Sequence, residues 1–199
     1  MAELAFSTQP GAAGPAARRL YLLFRIGGDR YALDAGEVIE VLGLRALKQV
    51  PGAPLWVAGM LDRRGAPVPV IDMSELAGQG AAARVTSTRL ALVHYRPAAT
   101  AAATVATAAT ATATTTATAA ASGAADHVLG LILEHATETL HYDPAAFQPS
   151  SLDNPDARYL GPVLSDAQGM VQAVRVNDLL APSVRAMLYP AAPVGEARP

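Results

Sequence analysis

The chain has no cysteine. That absence excludes a disulfide framework, thiol catalysis and every cysteine-ligated metal site, and it fits a reducing cytoplasm. Aromatic residues make up only 5% of the 199 residues, too few for the stacking platforms that read single-stranded nucleic acid. Neither sign of charge dominates. Fifteen Lys and Arg stand against 17 Asp and Glu, whereas a general phosphate-backbone binder needs a dense basic face. Long runs of large apolar residues are missing too. The uncharged stretch at 98–125 is almost wholly Ala and Thr, with Val105 its one larger aliphatic. Insertion into a bilayer is driven chiefly by Leu, Ile, Phe and Val, so no spanning helix is expected there. The first twenty residues lack a basic start followed by an apolar segment, so no export signal is read. A soluble, cytoplasmic protein is expected.

What is present is enough to build a core. The hydrophobic fraction is 51%, and one or two small domains fit the length. Leu20, Leu22, Phe24 and Ile26 alternate on one strand face, Gly27-Gly28-Asp29 turns the chain, and Tyr31 and Leu33 resume the pattern. A strand reads 68–72, where Pro67 and Pro69 cannot donate to a ladder and so indicate an edge or a bulge. Further strands read 89–95 and 128–133, the second ending before a turn-prone Ala-Thr-Glu-Thr-Leu segment. Gly169 marks a turn between apolar pairs, and Pro182 opens a short helix that Pro190 ends. Short strands at close spacing point to small barrels or a sandwich. The boundaries expected are a flexible leader at 1–19, one domain at 20–190 interrupted by the Ala/Thr loop at 98–125, and a tail at 191–199.

The search for chemistry returns little. His94, His127, His135 and His141 form no helical i, i+4 pair and have no cysteine beside them. No G-x-S-x-G elbow supplies a nucleophile. The Gly78-Gln-Gly80 run follows no strand that opens a helix within a βαβ unit, so it is not read as a dinucleotide fingerprint. The acidic pairs Glu37/Glu40 and Asp62/Asp72 have no visible partner beside them. Neither a catalytic residue, a cofactor nor a metal ligand is assigned, and the chain is read as no enzyme.

The segment 50–72, VPGAPLWVAGMLDRRGAPVPVID, is more informative. Gly59 and Gly65 bracket Arg63 and Arg64 inside apolar sequence. Two readings fit: a charged hairpin tip, or a rigid turn presenting a guanidinium beside an apolar surface, which suits a protein interface. This segment resembles the signature of the CheW-like family of chemosensory coupling domains, with Gly59, Arg64, Gly65, Pro69, Val70 and Asp72 in register. The resemblance extends to 21–42, 130–140 and 159–180, leaving only the Ala/Thr tract unmatched.

That resemblance implies a mostly β fold of two small five-stranded β-barrel subdomains with short helices and a C-terminal helix. It implies an adaptor that couples the helical tip of methyl-accepting receptors to the regulatory domain of a CheA-type histidine kinase, recruited to receptor arrays at the inner membrane. Direct membrane insertion and nucleic-acid binding are not implied. Val38, Glu40 and Arg64 carry over as protein-binding positions, whereas Gly59, Gly65 and Asp72 carry over as structural support. Arg64 either contacts the receptor or braces the groove from inside. Asp62, Arg63, Glu134 and Arg175 depart from the family pattern. They leave open an adaptor of a non-flagellar pathway controlling surface behaviour or second-messenger synthesis. A small β-barrel that binds an oligonucleotide or sugar is the alternative of a different class. A regulatory domain detached from a kinase is a third, though no phosphotransfer or ATP-binding segment accompanies it.

Overall fold

The computed structural model describes residues 18–97, 126–150 and 154–190. The expectations for the Ala/Thr tract and the tail lie outside those residues, as does the leader up to residue 17. The strands are β1 (Arg19–Ile26), β2 (Asp29–Asp34), β3 (Val38–Gly43), β4 (Val57–Arg63), β5 (Ala66–Asp72), β6 (Arg89–Tyr95), β7 (His127–Tyr142), β8 (Leu160–Asp166) and β9 (Gly169–Val174). Two short helices, α1 (Met73–Leu76) and α2 (Pro182–Leu188), follow β5 and β9.

These strands build two lobes that share β7. In the central lobe the order is β3-β6-β7-β5-β4, and in the terminal lobe it is β7-β1-β2-β9-β8. Read along either order, the pairings are antiparallel, antiparallel, parallel, antiparallel. The chain interlocks the lobes: the β1–β2 hairpin belongs with β8 and β9 from the far end of the sequence. Each lobe therefore has the expected five strands. Neither ladder closes fully: the seam of the central lobe is bridged at Lys48–Met60 and that of the terminal lobe at Gln148–Val163.

β6 and the middle of β1 bury both faces, which explains why β6 reads as a nearly continuous apolar run. Leu90 and Leu92 point into the central lobe, whereas Ala91, Val93 and Tyr95 point into a core between the lobes. In β1, Tyr21 and Leu23 fill the terminal lobe while Leu22, Phe24 and Ile26 join that interlobe core. The interlobe core is the largest cluster, and α2 closes over it through Leu188. Burying an aliphatic or aromatic side chain there stabilises by roughly 1.5–3 kcal/mol.

The 128–133 strand extends much further than its apolar run. β7 has 16 residues and passes straight through 136–140. A bulge makes this possible: His135 takes φ 51°, and the register with β1 shifts between Arg25–Glu134 and Leu23–Glu138. Beyond the bulge one face of β7 is exposed, so the polar residues there mark a half-buried strand instead of a turn. The prolines of β5 behave as their chemistry requires. Pro67 and Pro69 lie where β5 has only β4 beside it, and parallel pairing with β7 begins at Val70.

Candidate functional site

The β4–β5 hairpin carries the positions singled out in the sequence. Arg63 pairs with Ala66, leaving Arg64 and Gly65 as a two-residue turn with φ 55° and 85°. Two consecutive positive φ values match the twist of a tight hairpin. Gly65 adopts its value freely, while an Arg in the left-handed region is strained by roughly 1 kcal/mol. The turn is held by Asp62, whose Oδ1 accepts a hydrogen bond from the Gly65 N–H at 2.7 Å. Arg64 is exposed at the tip, and no ion pair engages it among the described residues.

Bracing falls to the neighbouring arginine. Arg63 Nη2 lies 3.8 Å from Glu40 Oε2, so a loose ion pair crosses the seam between β4 and β3. The Arg63 Nε is buried without a hydrogen-bond partner among the described residues. Val38 opens β3 opposite Val93 and is half-buried against the interlobe core. The residue before it, Glu37, sits at the same edge. Burial pushes its carboxyl above the ordinary range, and nearby Asp34 adds to the effect. Val38, Glu40 and the Arg63–Arg64 tip thus belong to one lobe, with Glu40 joined to the tip through Arg63.

The supporting positions have distinct tasks. Gly59 has φ 141° in a β4 bulge, and a Cβ there would stand 2.6 Å from the Lys48 carbonyl oxygen. Only glycine lets the Lys48 segment close onto β4, where Lys48 and Met60 exchange backbone hydrogen bonds of 2.9 and 2.7 Å. Asp72 is buried and caps α1, accepting from Ser74 and Glu75 N–H groups, and its second oxygen accepts from Ala82. It ties hairpin, helix and the following loop together. The helix itself was announced by Asp72 three residues before Glu75, a capping pattern the sequence reading did not use.

The other sequence candidates disperse. Asp62 and Asp72 stand at opposite ends of the hairpin, each occupied by backbone N–H groups. His94 meets Asp126 at 3.0 Å, and no group of three or more acidic or histidine side chains suited to a metal forms among the described residues. Glu134 accepts from the Ala83 N–H, and Arg175 precedes a short 3-10 turn. No helix among the described residues is long and apolar enough to cross a membrane.

The two interlocked β lobes thus carry an exposed, charged hairpin tip. The chain belongs to the CheW-like domain family, whose model matches residues 20–183. Locally it is similar to the chemotaxis protein CheW of Rhizobium meliloti (strain 1021), 33% identical over 64 residues, which are 32% of this chain and 41% of that protein. It is also similar to protein PilI of Pseudomonas aeruginosa, 38% identical over 55 residues, which are 28% of this chain and 31% of that protein. The match thus spans less than half the length of these curated relatives. The crystal structure of the scaffolding protein TtCheW from Thermoanaerobacter tengcongensis superposes with a TM-score of 0.63 at 17% identity. That match covers 88% of this chain and 96% of that one, and it shows the shared fold.

Proposed function

We propose that this chain is a chemosensory adaptor that holds a receptor's helical tip and the regulatory domain of a CheA-type kinase together without bond-making chemistry of its own. The observation that carries this reading is the Arg64 tip: a strained, exposed arginine with no ion pair among the described residues. Strain kept at a surface position points to use by a partner. Val38, half-buried at the start of β3 in the same lobe, supplies apolar contact to a partner helix, and Glu40 reaches the base of the tip loosely through Arg63. Arrays multiply such contacts through effective concentration, so each one can be modest. The domain at 20–190, cytoplasmic and recruited to receptor arrays, belongs to the same proposal.

Truncating Arg64 to Ala is expected to weaken binding to receptor tip or kinase regulatory domain by about 2 kcal/mol, roughly 30-fold. Circular dichroism of the variant is expected to match that of the wild type. Retention equal to wild type in a quantitative pull-down removes Arg64 from the interface. A second reading, an adaptor for a non-flagellar output, is supported by the charges at Asp62 and Arg63, since altered interface charge excludes wrong partners. Deletion that changes surface growth but leaves swimming normal favours it.

A further inference from the structure

The central lobe has a second feature at the end away from Arg64. Val57 and Ala58 begin β4 and Arg63 ends it, a separation of about 20 Å at 3.3 Å per residue. At the Val57 end the lobe opens into a cleft of about 300 Å³. Its floor is made by Leu44, Leu47, Leu90 and Ile132, all from the aliphatic cluster inside the lobe.

The terminal lobe has a cleft of about 270 Å³ where β9 ends, and it differs in what packs beside its bridge. Phe147 precedes its bridging residue Gln148, as Leu47 precedes Lys48. The Phe147 ring packs 5.3 Å from Tyr21 and 5.9 Å from Tyr142. The cluster inside the central lobe contains no aromatic side chain among the described residues, so the floor of its cleft is aliphatic throughout.

The rim of that opening carries both kinds of recognition group. Leu55 is 86% exposed, an unusual state for a leucine beside an apolar cleft. Arg45 and Arg84 are exposed at the rim and make no ion pair among the described residues. On the acidic side, Asp72 is occupied by three backbone N–H groups, which leaves Glu75. Two guanidiniums therefore face one available carboxylate around an apolar floor.

We infer that this cleft is a protein-docking surface separate from the Arg64 tip, and that it receives a partner segment inserting a large apolar side chain flanked by carboxylates. The apolar side chain packs on the aliphatic floor beside Leu55, while the flanking carboxylates meet Arg45 and Arg84.

The test uses the isotopically labelled full chain and two blocked hexapeptides. Both have a Leu-Phe centre; one is flanked by two acidic residues on each side, the other by two lysines. The acidic peptide is expected to shift amide resonances of 44–49, 55–58 and 81–84, and to bind at least fivefold more tightly than the lysine peptide. The double variant Arg45→Glu/Arg84→Glu is expected to reverse that preference, and Leu55→Ser, at an exposed position, to weaken both peptides. Arg64→Ala is expected to leave peptide binding unchanged, which separates this inference from the adaptor reading. Equal affinity for the two peptides, shifts centred on 63–65, or no shift at millimolar peptide overturns it.

Discussion

The two lobes share a strand order, a bridge across the seam and a hairpin beside it, yet they use the seam differently. Arg63 and Asp166 occupy matching places: each ends a strand immediately before a two-residue turn. In the terminal lobe Asp166 accepts hydrogen bonds from Arg30 and from the Tyr142 hydroxyl, both at 2.7 Å. The Arg30 side chain there is only 10% exposed. In the central lobe Arg63 reaches Glu40 at 3.8 Å, and the glutamate side chain is 42% exposed. One lobe holds a short, largely buried ion pair, though Arg30 Nη2 finds no hydrogen-bond partner among the described residues, and it packs aromatic rings beside its bridge. The other leaves a strained arginine, a loose ion pair and an open cleft at its surface. On the proposed reading, the tighter seam serves stability and the looser one recognition.

Substitutions can break that contrast in order of size. Gly59→Ala is expected to destabilise by about 3 kcal/mol, because its Cβ meets the Lys48 carbonyl and its φ is unfavourable for alanine. Urea unfolding followed by circular dichroism reads the loss. Asp166→Asn is expected to cost about 2 kcal/mol by leaving the Arg30 charge poorly paired, measured by the same method. A loss near zero would show that the terminal seam is no better secured than the central one.

The pH dependence sharpens the comparison. The hydrogen bond from Arg30 holds the Asp166 carboxyl at about 2, below its ordinary 3.8. A depressed carboxylate contributes stability that is fully present above the unfolded value. That contribution, on the order of 1 kcal/mol after screening, fades as pH falls from about 5 to about 2. The Tyr142 hydroxyl is pushed up to about 12, first by burial and then by its bond to Asp166. The Asp166→Asn variant is expected to lose this part of the acid slope. The smallest effect belongs to Glu40→Gln, expected to change stability by less than about 0.5 kcal/mol because its ion pair is exposed and loose. A larger change in thermal melting would move the central seam into the structural class.

Much of this was legible in the residues. Alternation and Gly-Gly placed the β1–β2 hairpin, the prolines marked the single-sided start of β5, and Pro182 with Pro190 bounded α2. The second half of β7 was not, because its exposed face is polar and its bulge sits at a histidine instead of a glycine. The α1 turn was too short for periodicity to show. The seam contacts were hidden for another reason. Arg30 and Asp166 are 136 residues apart, and only the interlocked topology brings them together. Arg63 was visible as a departure from the family pattern, but its pairing with Glu40 crosses a gap that no strand ladder spans. Nor could sequence show the cleft, whose lining comes from segments as far apart as Leu44 and Ile132.

The measurement that most directly tests the division between the lobes is a paired reading on Arg64→Gly, combining melting temperature with affinity for the kinase regulatory domain and receptor tip. Glycine relieves the left-handed strain, so the variant is expected to be more stable by about 0.5–1 kcal/mol while binding at least one partner roughly 30-fold more weakly. Higher stability with unchanged affinity for both partners would contradict the account.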